Sequence, residues 1–81
     1  MKTKRKPNKV HMQLTQKAVE AAGTQAKLAE RMAKIEKNVI QPHVSQWLLG
    51  KKNVSPIMAV AMEQAVDGAV KRQQFHPKLY A

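Results

Sequence analysis

Glutamine, serine and histidine recur in Gln41-Pro42-His43-Val44-Ser45-Gln46-Trp47-Leu48-Leu49-Gly50-Lys51-Lys52, and they suit hydrogen bonding to base edges better than they suit catalysis. A glutamine amide presents an acceptor beside a donor and so matches adenine N6 and N7. Serine reaches several base edges, and imidazole donates to guanine acceptors or to phosphate. On that chemistry Gln41, His43, Ser45 and Gln46 are candidate base-contacting residues. Polar residues on a short helix are ordinarily just solvated, so the case depends on what surrounds them. Fifteen Lys and Arg against five Asp and Glu give a formal net charge of +10. Such an imbalance favours a polyanionic partner, either nucleic acid or an anionic membrane surface. Lys51, Lys52 and Asn53 follow directly, where they would hold phosphates without reading sequence. Upstream, Thr24, Gln25 and Lys27 open another helix, whose free N–H groups and dipole favour a phosphate.

Other chemistries have less to work with. The chain has no cysteine, hence no disulfide framework, no thiolate and no Cys-based zinc site, which fits a reducing cytoplasmic setting. His11, His43 and His76 are far apart in sequence and lack a metal-ligand spacing. No nucleophile is paired with a base, and the few carboxylates stand singly. An enzyme, a metal site and a cofactor are therefore not expected. No apolar run approaches the roughly 20 residues of a membrane span, and the basic N-terminus leads into no apolar core of a signal peptide.

The elements that must position these side chains follow from local signals. Residues 1–9 carry Lys2, Lys4, Arg5, Lys6 and Lys9 with Pro7 and nothing large and apolar after Met1. Such a segment cannot bury enough surface to offset its ordering entropy and reads as a flexible basic arm, able to follow a DNA backbone or enter a minor groove. One helical domain, 10–81, follows. A first helix runs from Val10 or His11 to Ala22, with Leu14, Ala18, Ala21 and Ala22 inward and Gly23 just past its end. Thr24 caps a second, which buries Leu28, Ala29, Met32 and Ala33, extends to Lys37 and ends on a left-handed Asn38. Pro42 suits the first turn of a third helix ending at Gly50, in which Val44, Trp47 and Leu48 share one face and pack against helices 2 and 4. Ser55-Pro56 repeats the cap-then-proline signature for a fourth helix, buried through Ile57, Met58, Val60, Ala61, Met62, Ala65 and Val66 and ending at Asp67-Gly68. From Ala69 onward, Val70, Phe75, Leu79 and Tyr80 fit either a short fifth helix or an extended segment broken at Pro77. The expected fold is all-α, with four to five helices, and its second and third helices read as a helix-turn-helix.

Gly23-Thr24-Gln25 leading to Leu28-Ala29, Val44-Ser45-Gln46-Trp47, Gly50-Lys51, Val54-Ser55-Pro56, Glu63, Gly68-Ala69-Val70 and Pro77-Lys78-Leu79-Tyr80 form an ordered set. Together they resemble phage Cro repressors and the related YdaS-type antitoxins. The resemblance implies a lambda-repressor-like domain of phage or prophage origin that binds a double-stranded DNA operator as a homodimer and blocks transcription. It also implies that Gln25 clamps a phosphate and that Gln41, Pro42, Ser45 and Gln46 face bases. Two features depart from the family: the segment 34–40 replaces a tight glycine turn with a longer connection, and the basic arm is longer. The expected function is a sequence-specific transcriptional regulator of the Cro type. The alternative is an antitoxin that binds a toxin partner through the tail around Phe75, Leu79 and Tyr80 and autoregulates its promoter.

Overall fold

The starts of the second and fourth helices are set by residues whose backbone or cap chemistry ends one segment and begins the next. Gly23 adopts φ +110°, a conformation a side chain would strain, and its N–H closes onto the Val19 carbonyl at 2.7 Å. Thr24 then caps the following helix at once, its hydroxyl accepting from the Lys27 N–H at 3.1 Å. Ser55 does the same ahead of Pro56, accepting from the Met58 N–H at 3.4 Å. The computed structural model describes residues 9–79. Within them the elements are α1 Lys9–Ala22, α2 Gln25–Ala33, α3 Gln41–Leu48, α4 Pro56–Ala65 and α5 Arg72–Phe75. The fold is all-α, and the described residues include no strand. Of the basic segment 1–9, only Lys9 falls within the described residues, as the first residue of α1; the expectation of an arm otherwise lies outside them.

One core joins all five helices. Ala18 and Leu28, both fully buried, sit with Met32, Val44, Trp47, Val54, Met62, Val70 and Phe75 in a single apolar cluster. The stripe on α1 is His11, Leu14, Thr15, Ala18 and Ala22. Ala21, expected inward, is exposed, because it falls one residue outside that stripe. On α4, Ile57 is likewise 61% exposed, since the buried side is set by Ala59, Ala61, Met62 and Ala65. The backbone of α3 packs against α1 and α2. Of the two supports expected for it, α2 is present, α4 joins through the shared buried cluster, and α1 is a neighbour that was not expected.

Between α2 and α3 the chain departs most from local expectation. Helix α2 stops at Ala33 rather than Lys37, because the Met32 carbonyl accepts from both Ile35 (2.9 Å) and Glu36 (2.7 Å) and tightens the last turn. Asn38 is not left-handed; the only non-glycine residue with positive φ among those described is Asp67, at the end of α4. The connection 34–40 is instead a run of turns pinned by Val39, which is buried, while Ile40 beside it stays 54% exposed. Packing Val39 into the core overrides the helical propensity of the residues before it.

The tail resolves into the short helix α5. Val70 and Phe75 are buried, and Glu63 holds the start of α5 through hydrogen bonds from the Arg72 N–H (2.8 Å) and Nε (2.9 Å). Those two bonds hold the Glu63 carboxyl below its ordinary pKa. Among the described residues no helix is long and apolar enough to cross a membrane.

Candidate nucleic-acid interface

The outward side of α3 is prepared by the residues that face inward. Val44 is fully buried and Trp47 is 5% exposed, so the helix is clamped by them and its other side is left to solvent. Gln41, Pro42, Ser45, Gln46 and Leu49 lie on that side with the i, i+4, i+8 repeat of one helix face, and with Lys51 they line one shallow groove. Four of the five residues expected to face bases therefore share a surface. The fifth, His43, is half-buried and stands apart from it. Its Nδ1 accepts the Ile40 N–H at 3.2 Å, capping the helix that Ile40 cannot cap with its own side chain, and its ring stacks on Trp47 with centroids 6.2 Å apart. Only Nε2 remains available for a ligand.

Helix α2 meets α3 at its first turn. The Ser45 hydroxyl donates to Gln25 Oε1 at 2.9 Å, joining the leading residue of α2 to the middle of α3. The bond uses the acceptor of Gln25 and leaves its amide N–H groups at a helix start where unpaired backbone donors already favour an anion. Thr24 is committed through its hydroxyl to the cap, and Lys27 is exposed one turn along.

Past α3, Gly50 adopts φ +76°, which turns the chain so that the Lys51 N–H returns to the Gln46 carbonyl at 2.9 Å. That reversal is what carries Lys51 onto the groove. Lys52 and Asn53 continue the loop exposed, and Val54 anchors its far end in the core. The groove thus carries one cationic side chain, Lys51, beside amides, a hydroxyl and apolar groups. Such a surface can place phosphates at its edges and hydrogen-bond base edges at its centre.

Sequence reasoning missed two features. Leu49 is 63% exposed in the groove; its offset from the Val44-Trp47-Leu48 stripe was the available signal. The second is a buried clasp on the opposite side of the loop. The Val54 N–H donates to His11 Nδ1 (3.0 Å), His11 Nε2 donates to the Phe75 carbonyl (2.9 Å), and His76 Nε2 donates to the Val54 carbonyl (2.7 Å). The two imidazoles stand edge to face, 5.3 Å between centroids. Desolvation, with the His76 charge adding to it and the Phe75 hydrogen bond opposing it, holds His11 below its ordinary pKa. Nothing in the local sequence links positions 11, 54 and 76. Among the described residues no cluster of three or more His, Cys, Asp or Glu side chains could hold a metal.

Compared with known families, residues 15–81 match the family model described as bacterial toxin YdaS. No curated protein and no solved structure gives a significant match.

Proposed function

The chain belongs to the YdaS family, and from that premise we propose that it is a sequence-specific DNA-binding transcriptional regulator, a repressor of the Cro type that inserts α3 into the major groove of an operator. The observation that carries this reading is the Gln25–Ser45 hydrogen bond. It locks the phosphate-facing start of α2 to the base-facing side of α3, so that one rigid unit meets backbone and bases together. Lys51, Lys52 and Asn53 then hold the phosphates beyond α3, with Thr24, Gln25 and Lys27 on the near side. Affinity falls steeply with salt, because each phosphate neutralised releases counterions. Operators read by a homodimer are palindromic, with half-sites about one helical turn apart. Footprinting on DNA flanking the chain's own gene tests the reading: a protected palindrome supports it, and uniform protection without a preferred site overturns it.

The family's description as a bacterial toxin favours a second reading, in which the chain works within a toxin–antitoxin pair. Its surface for a protein partner would be the tail, where Phe75, His76, Pro77, Lys78 and Leu79 line a second groove and Leu79 is 61% exposed. Phe75 contributes little there, because its ring is buried against His11; Tyr80 lies outside the described residues. Inducing the chain and the product of its neighbouring reading frame in a bacterial host, each alone and both together, separates the readings. Growth arrest by either one that the other relieves favours the pair, and no such relieved arrest favours the regulator.

A further inference from the structure

We infer that the groove along α3 reads half-sites built of A·T pairs, with glutamine amides on adenine and Leu49 and Pro42 against thymine methyl groups. The inference rests on the DNA-reading role proposed above and specifies its ligand. Three observations carry it. From Gln41 through Gly50 the chain holds no Arg and no Lys, the side chains whose paired donors grip guanine O6 and N7. What the groove offers instead are the amides of Gln41 and Gln46, the donor–acceptor complement of adenine N6 and N7. The remaining candidate for guanine, His43, lies outside the groove with Nδ1 already engaged at Ile40.

Leu49 supplies the second half of the argument. It is 63% exposed, although it stands within one turn of Ser45 and Gln46 and inside the same groove. A solvent-facing leucine among amides gains nothing for the fold, but in a major groove it meets the one apolar group that base edges present, the thymine C5-methyl. Pro42, also exposed, places a ring near the opposite end of the same face, so apolar groups lie on both sides of Gln46 and Pro42 adjoins Gln41. Lys51 lies at the rim on the loop, where a flexible point charge suits a phosphate better than a paired base contact. The face is therefore matched to adenine and thymine by its donors, its acceptors and its apolar ends.

Selection of the full-length chain on randomised double-stranded DNA tests the composition, and replacing each thymine of the selected site with deoxyuridine tests the methyl contact. Enriched half-sites should be dominated by A·T pairs. Removing the contacted methyl should weaken wild-type binding about fourfold, the worth of one buried methyl group. At the thymine that Leu49 meets, the penalty should vanish in Leu49→Ala and persist in Leu49→Met, while a thymine facing Pro42 keeps its penalty in both; both substitutions fall on an exposed side chain. Half-sites dominated by G·C pairs, or a uracil penalty equal in wild type and Leu49→Ala at every thymine, overturn the inference while leaving sequence-specific binding intact. Recovery of no sequence at all overturns the DNA-reading role itself, and the inference falls with it.

Discussion

Two polar clusters lie on either side of the 51–54 loop, and they spend their hydrogen bonds in opposite ways. In the clasp, His11 and His76 use ring nitrogens on the backbone of Val54 and Phe75, and Thr15 donates to the His11 carbonyl at 2.7 Å. In the groove, only Ser45 is committed, to Gln25, while Gln41 is exposed and Gln46 half-exposed. No buried side-chain nitrogen or oxygen among the described residues lacks a partner. The lesson is that polar atoms withdrawn from water here are saturated by the fold, so hydrogen-bonding capacity for a ligand is left on the surface side of α3.

The largest effect should come from the clasp. His11→Ala orphans the buried Val54 N–H and removes the partner of the Phe75 carbonyl, so it should lower unfolding free energy by about 3 kcal/mol in urea titration. The folded fraction should bind DNA nearly as well as wild type; a stability change within experimental error would show the clasp to be dispensable. Acid should act through the same residue. Since His11 titrates below its ordinary value in the folded chain, the folded state binds fewer protons than the unfolded one. Its contribution is whole above about pH 6.5 and is lost as pH falls through the folded pKa. Urea midpoints measured from pH 7.5 to 5 should therefore decline in wild type and flatten in His11→Ala, over a range above the titration of Glu63.

The groove should respond the other way round. Gln46→Ala should leave stability within about 0.5 kcal/mol. It should weaken binding to a preferred site by about 2 kcal/mol, with nonspecific binding unchanged. Equal losses on specific and random DNA would remove Gln46 from base readout. Ser45→Ala sits between the clusters in kind, because it breaks a hydrogen bond at the edge of the core. About 1 kcal/mol of stability should be lost, and with it part of the site preference. The smallest effect belongs to the rim: Lys52→Ala should change affinity modestly on every sequence and reduce the salt dependence by about one phosphate contact. A salt slope identical to wild type would place Lys52 off the DNA backbone.

Much of this arrangement was legible before the fold was known. Thr24, Ser55-Pro56 and Gly23 declare helix ends through interactions spanning three or four residues, and all three act as expected. Val44 and Trp47 are recognisable as the inward side of α3 because helical spacing puts them together. Where the structure departs from the reading, the deciding contact was one that helical spacing does not announce. Residues 34–37 have helical propensity, and the burial of Val39, with the last turn tightened on the Met32 carbonyl, ends α2 short of them. His43 reads as a base-contact candidate beside Gln41, Ser45 and Gln46; its bond to Ile40 and its stacking on Trp47 give it a capping role. His11 and His76 are far apart in sequence, and only the fold brings them together on the backbone N–H and carbonyl of Val54.

By itself the sequence determined an all-helical chain, the Thr24 and Ser55 caps, most of the inward residues of its helices and a strongly positive charge balance. These are consequences of covalent geometry, of short-range hydrogen bonding and of net charge, none of which needs a distant partner. The tertiary structure alone decided which polar atoms are consumed and which are left over. Burial and hydrogen-bond satisfaction depend on residues 20 to 64 positions apart, as between Ser45 and Gln25 or between His11 and Phe75. Those long-range bonds, and the exposure of Leu49 that packing permits, turn a polar helix into a defined surface.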